Sequence, residues 1–231
     1  MQNPQQPARD KDESREPQGS ADPRRWKALG VVAVAQFMLI LDLTVVNVAL
    51  PDLAADLGLS RTAFTWTASA YGLVYGGLIL LGGRLADVLG ARPMIMTGLA
   101  IFTLASLVSG LAQNETLLLT GRVGQGAGAA LLSPAALATI TAIFHGKERN
   151  KALSVWASLG GVGFTAGVLI GGTLTAGPGW RWVFFINVPI GLVLLTAISA
   201  VVPPRRRDRA ARVDVLGAVT VTAATARSST A

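Results

Sequence analysis

Six apolar runs, each about as long as a bilayer is thick, fill most of the sequence between residues 28 and 202. About 20 apolar residues in an α-helix cross the hydrocarbon core of a membrane. Because no water satisfies backbone polar groups in that core, separate spans must be helical. The sequence therefore predicts an all-α integral membrane protein with six transmembrane helices, at residues 28–50, 62–81, 94–112, 117–144, 152–176 and 183–202.

Three segments lie outside this bundle. Residues 1–27 are rich in Pro, Gln and charge, which predicts a disordered tail. Residues 203–212 form a basic loop. Residues 213–231 begin a seventh apolar run that is too short to span and ends in polar residues, so we interpret it as an incomplete seventh helix and the chain as a fragment or a prematurely terminated product.

The positive charges predict the orientation of the bundle. Most of them fall on one side of the predicted spans, and Arg61 and Arg181 fall on the other. Loops rich in Lys and Arg stay in the cytoplasm. We therefore expect a multi-pass protein of the cell membrane with a cytoplasmic amino terminus. The positive charges on the predicted cytoplasmic side are those of the amino-terminal tail, Arg84, Arg92, Lys147, Arg149, Lys151 and the basic residues of 205–212.

Composition excludes several classes of function. The chain has no cysteine and a single histidine, His145, which argues against disulfides, thiol catalysis and Cys or His metal sites. The net charge of +7 comes from short clusters between apolar runs, a pattern typical of membrane orientation and not of nucleic-acid binding. We expect no enzyme, no metal site, no cofactor and no nucleic-acid partner.

Arg122 places a permanent charge inside an apolar span. Such a residue is a functional-site hypothesis because its burial in a membrane costs several kcal/mol. Counted at 1.5 Å per residue, Asp42 and Arg122 lie about 12 Å and about 9 Å inside the same boundary. The matching depth predicts an ion pair, and protonation of the carboxylate would free the arginine. The alternative is a static pair that only fixes helix packing.

Small residues recur on two of the predicted helices. In a membrane, a face of small side chains lets two helices approach closely and, in a transporter, move against each other. Static tight packing is the alternative. The fourth span has Gly124, Gly126 and Gly128. The predicted glycine face of the fifth span consists of Gly163, Gly167 and Gly171, at intervals of four, together with Gly172.

Other polar and glycine positions predict contacts between helices. Thr44 and Asn47 are expected to form interhelical hydrogen bonds, with substrate contact as a second possibility. The segment between the second and third spans contains Gly83, Asp87, Gly90 and Arg92. Its glycines predict a tight turn and its charges a bridge between helix ends, against the alternative of an ordinary solvated turn. Trp26, Trp180 and Trp182 are expected at the membrane interfaces.

Five motifs in order resemble the major facilitator superfamily, and within it the drug:proton antiporter branch with fourteen spans. The resemblance extends from about Lys27 to Ala218. Its motifs are Leu41-Asp42 to Pro51 on the first helix, Gly83 to Arg92 between the second and third, Leu118 with Arg122, Gln125, Gly126 and Gly128 on the fourth, Gly167 to Gly172 on the fifth, and Trp180 to Gly191 at the sixth.

The resemblance implies a function and a missing part. It implies proton-coupled efflux of drugs or other small amphipathic molecules by alternating access, with Asp42 and Arg122 coupling the proton, which is the coupling ion without another cofactor. It also implies that these six helices are the amino-terminal half, that Val213 to Ala218 begins an extra helix, and that a carboxy-terminal half completes the substrate cavity. The substrate-binding residues are not identified.

The sequence departs from the family pattern at three positions. Val88 and Ala91 stand where the loop motif usually has basic residues, and Val168 stands where the antiporter motif usually has proline. Two alternatives to drug efflux remain at this point. One is a facilitator for a sugar or metabolite, and the other is a truncated membrane protein that transports nothing.

Overall fold

The computed structural model describes residues 24–201 and contains helices connected by short turns. Six of its segments are long and apolar enough to cross a membrane, because α6 and α7 together form one of them. The prediction of an all-α membrane bundle is confirmed. The helices are α1 Arg24–Leu57, α2 Arg61–Leu89, α3 Ala91–Gly110, α4 Glu115–Ile143, α5 Gly146–Ala176, α6 Trp182–Phe185 and α7 Asn187–Val201.

The helices differ from the predicted spans mainly in length. The helix α1 continues through Pro51 to Leu57, because Leu53 and its neighbours are buried against Trp180 and Phe184. The helix α2 continues to Leu89, so most of the segment predicted as a loop is helical. The predicted tail is described only from residue 24, and residues 203–212 and 213–231 lie outside the described part of the chain.

The helix α4 is the centre of one packed layer, with α2 and α3 along its two sides. Glycine makes these contacts close. A Cβ placed at Gly128 would lie 2.6 Å from the carbonyl oxygen of Gly98, and a Cβ at Gly82 would overlap the carbonyl oxygen of Ala130. Such distances leave no room for a side chain, so glycines of both α2 and α4 set the spacing of the three helices.

The helix α1 packs mainly against α5, in matched steps of four residues. A Cβ placed at Gly163, Gly167 or Gly171 would meet a side chain of α1 at 2.8, 2.6 or 3.1 Å. Residues four apart lie on one face of a helix, which makes this a continuous seam. Its pairs are Gly163 with Ile40, Gly167 with Thr44, and Gly171 with Val48.

Charged and aromatic side chains join the helices at each end of the bundle. At the Arg25 end, where α1 begins, Arg25 forms two contacts with Glu148 of α5, at 2.7 and 2.8 Å. At the Asp56 end, where α1 finishes, Arg181 donates to Asp56 at 2.8 Å. Trp180 also donates to Asp56 and is only 5% exposed, so it packs inside this end of the bundle, and its place at the membrane interface stays a prediction.

Candidate functional site

A buried cluster of polar side chains lies between the apolar faces of four helices. Its members are Asp42 of α1, Ser106 of α3, Arg122 and Gln125 of α4, and Asn187 of α7, and we call it the Asp42 cluster. All five are fully buried. Buried polar groups of this kind are stable only when they satisfy one another's hydrogen bonds.

Asp42 accepts hydrogen bonds from three side chains. Arg122 Nη1 lies 2.8 Å from Oδ2. Gln125 Nε2 and Asn187 Nδ2 each lie 2.7 Å from Oδ1. The predicted pairing of Asp42 with Arg122 is therefore present in the structure, and the carboxylate is also bonded to two neutral amides.

Gln125 connects the two charges as well as contacting each of them. It lies three residues after Arg122, a spacing that puts both side chains on one face of α4. Its Oε1 accepts from Arg122 Nη1 at 2.9 Å, and its Nε2 also donates to Ser106 Oγ at 2.8 Å. The fourth-helix motif thus supplies both the charge and the amide that holds it in place.

Arg122 also contacts α2. Its Nε donates to the backbone carbonyl of Thr67 at 3.3 Å, and its Cζ lies 4.8 Å from the ring centroid of Tyr71. Its Nη2 has no hydrogen-bond partner within residues 24–201. The guanidinium is therefore held between α1 and α2, with one nitrogen not hydrogen-bonded.

Ser106, Asn187 and Tyr71 are members or neighbours of the site that sequence reasoning did not single out. Asn187 is the first residue of α7, which Ile186 alone separates from α6. A polar amide inside an apolar span was a usable signal for Asn187. The serine and the tyrosine offered none, because both are common in membrane helices.

Among the residues that the structure describes, Thr44 and Asn47 do not form the predicted interhelical hydrogen bonds. Thr44 Oγ1 donates to the carbonyl of Ile40 at 3.1 Å, and Asn47 Nδ2 donates to the carbonyl of Leu43 at 2.7 Å. Both bonds stay within α1, as helical Thr side chains commonly bond four residues back. Thr44 still contacts another helix, because its Cβ faces Gly167.

The predicted glycine face of α5 is real for three of its four members. Gly163, Gly167 and Gly171 are buried against α1. A Cβ at Gly172 would meet nothing within 4 Å. Gly172 therefore lies off the seam, because it is one residue, or about 100°, around the helix from Gly171.

The segment from Gly83 to Arg92 is helical except at Gly90. Gly90 has φ 98°, a conformation that favours glycine, and it alone separates α2 from α3. Arg92 Nη2 donates to the carbonyl of Ser199 on α7 at 2.7 Å. Asp87 is exposed and lies 3.9 Å from Arg84 of its own helix. A Cβ placed at Gly83 would lie 3.9 Å from the Cβ of Pro134 on α4.

The Asp42 cluster contains one group that can change its protonation state, the carboxyl group of Asp42. Within the described residues no group of three or more His, Asp or Glu side chains could hold a metal ion. The cluster instead contains one carboxylate that can gain a proton and one guanidinium that cannot lose its own. Protonation of Asp42 would remove the charge that balances Arg122, and so would change what holds α1 to α4.

The sequence is similar to known proteins over most of the described residues. The family model described as Major Facilitator Superfamily matches residues 32–228. Puromycin resistance protein pur8 of Streptomyces alboniger is 45% identical over 197 residues, which cover 85% of this chain and 39% of that protein. Cephamycin export protein CmcT of Amycolatopsis lactamdurans is 43% identical, over 85% of this chain and 41% of that protein.

Solved structures share the fold at low sequence identity. The crystal structure of the peptide transporter POT in complex with sulfate has a TM-score of 0.71 at 15% identity, and the match covers 88% of this chain and 44% of that one. A bacterial homologue of the human lysosomal transporter Spinster, inward-facing and occupied, has a TM-score of 0.69 at 22% identity, over 80% and 46% of the two chains.

The matched relatives are longer than this chain. The chain spans about 40% of the length of the curated relatives named above. Its six membrane-spanning segments make it a multi-pass membrane protein. The family model matches most of its residues, and the two relatives exceed 40% identity over 85% of its length. The chain belongs to the Major Facilitator Superfamily.

Proposed function

We propose that this chain forms one half of a proton-coupled exporter of drugs or other small amphipathic molecules. The observation that carries the proposal is the buried Asp42–Arg122 pair, which joins α1 to α4 at 2.8 Å. Relatives named for puromycin resistance, cephamycin export and lincomycin resistance support the class of substrate. Coverage of about 40% of those relatives supports a second half as the partner.

The proposed coupling needs one proton and no other cofactor. A proton binds a carboxylate oxygen of Asp42, and the ion pair with Arg122 ends because only one charge remains. Arg122 keeps its proton and its charge. Because α1 and α4 are then held together less strongly, the balance between outward-facing and inward-facing arrangements of the two halves changes. A drug leaving outward exchanges for the incoming proton.

The test uses a chimeric transporter, in which this chain is joined to the part of the Streptomyces alboniger relative that lies beyond their match. Everted membrane vesicles that contain the chimera should accumulate puromycin and ethidium when their interior is acidic. A protonophore should release both, and vesicles without the chimera should accumulate neither. Drug accumulation that does not depend on the proton gradient, or that depends on a sodium gradient, would contradict the proposed coupling.

The proposed orientation places the amino terminus and the Arg25 end of the bundle in the cytoplasm. Because the chain contains no cysteine, single cysteines report accessibility without background. In intact protoplasts, a membrane-impermeant maleimide should label Arg61→Cys and leave Lys147→Cys unlabelled. Both positions are exposed, so both should react after permeabilisation. Labelling in the opposite order would reverse the orientation.

A further inference from the structure

Arg122 has a second set of contacts that does not involve Asp42. The ring of Tyr71 faces its guanidinium at 4.8 Å, and the backbone carbonyl of Thr67 accepts from Nε at 3.3 Å. Both residues belong to α2, and Tyr71 is only 4% exposed. The face of an aromatic ring carries partial negative charge and attracts cations, more strongly when water is excluded. This second set needs no ionised carboxylate.

Gly126 and Tyr75 are the neighbours that place Tyr71 beside Arg122. A Cβ at Gly126 would lie 2.6 Å from the carbonyl oxygen of Tyr71, so this glycine of α4 lets α2 come within reach of Arg122. Tyr75 stacks on Tyr71 at 6.2 Å, and its hydroxyl lies 3.2 Å from Ser133 Oγ of α4. The ring of Tyr71 therefore contacts Tyr75 as well as Arg122, and α4 packs closely against the backbone of Tyr71.

Few other groups could hold Arg122 once Asp42 is neutral. Within the described residues, its other side-chain hydrogen bond goes to Gln125, which is neutral. The remaining members of the cluster, Ser106 of α3 and Asn187 of α7, are also neutral and bond to one another and not to Arg122. The second tyrosine, Tyr75, faces Tyr71. A buried cation without a counter-charge depends on whatever electron-rich surface it contacts.

We propose that Tyr71 is a positioning residue that holds the Arg122 guanidinium against α2 while Asp42 is protonated. The inference rests on the proposed function and adds to it the place where Arg122 stays during the switch. One proton binds a carboxylate oxygen of Asp42, no other bond forms or breaks, and Arg122 remains charged. Arg122 contacts both α1 and α2 in the structure. Protonation thus weakens its link to α1 and leaves its link to α2.

A thermal unfolding cycle on the full chain in detergent micelles tests this role. Tyr71→Leu removes the ring, and Asp42→Asn mimics the protonated carboxyl. If the ring replaces the carboxylate, Tyr71→Leu should lower the melting temperature at least twice as much in the Asp42→Asn background as in the wild type. Tyr71→Phe, which keeps the ring face, should have little effect in either background. An equal loss of melting temperature in both backgrounds would show that Tyr71 contributes only ordinary packing, and would overturn the proposal.

A second measurement avoids a cavity at position 71. Phenylalanines carrying one, two or three fluorine atoms keep the size of the ring and progressively remove negative charge from its face. In the Asp42→Asn background, the melting temperature should fall stepwise along this series, and a flat series would overturn the proposal. Neither measurement involves transport. Failure of proton-driven efflux in the chimera would therefore refute the proposed function, while the melting temperatures would still show whether Tyr71 holds Arg122.

Discussion

Asp42→Asn is expected to reduce proton-driven efflux by the chimeric transporter at least tenfold while the protein still reaches the membrane. The substitution keeps the size of the side chain and a carbonyl oxygen that can accept from Arg122. It removes the group that binds the proton and leaves the fully buried Arg122 without a counter-charge. Breaking a buried ion pair by removing one partner costs about 3–5 kcal/mol. The measurement is puromycin accumulation in everted vesicles at equal protein level.

Asp56→Asn is the matched control for this prediction. Asp56 lies on the same helix and also pairs with an arginine at 2.8 Å, but the side chains of Asp56 and Arg181 are 49% and 39% exposed. Solvent screens such a pair, so its removal should leave both efflux and protein level near wild type. If Asp42→Asn retained efflux that depends on the proton gradient, the coupling role would be wrong. Equal losses in the two variants would point to a general effect of α1.

The pairing of Asp42 with Arg122 could be predicted because charges inside apolar spans are rare and depth along a helix can be counted. The direction in which a side chain points around the helix axis could not be predicted in the same way. Asn47 and Asn187 are both amides within apolar spans, yet Asn47 is exposed and bonds to its own helix while Asn187 is fully buried against Asp42. Which amide faces the cluster is decided by the packing of all the neighbouring helices.

The limits of the helices show the same dependence on packing. The glycines of the segment from Gly83 to Gly90 predicted a turn, but only Gly90 adopts a conformation that favours glycine. Ala86 between them is buried, and Gly83 lies beside Pro134 of α4, so helical packing extends past the apparent turn signal. A glycine in a membrane helix can indicate either a turn or a close neighbour. Sequence alone does not separate these two uses.

Gly167→Ala is expected to destabilise the bundle by about 1–3 kcal/mol, the usual range for overpacking. The added Cβ would lie 2.6 Å from the Cβ of Thr44, an atom fixed to the backbone of α1. Because a change of rotamer cannot move the Cβ of Thr44, α1 and α5 must separate along the seam. Thermal unfolding of the full chain in detergent micelles measures the loss as a lower melting temperature.

Gly172→Ala, on the same helix, should behave in the opposite way. A Cβ there meets nothing within 4 Å, and alanine is favoured over glycine in a helix interior by up to about 1 kcal/mol. We expect an unchanged or slightly higher melting temperature. Both glycines belong to one motif, so equal effects would mean that the motif acts through helix flexibility. Opposite effects would mean that it acts through the contact between α1 and α5, the helix pair that also carries Asp42.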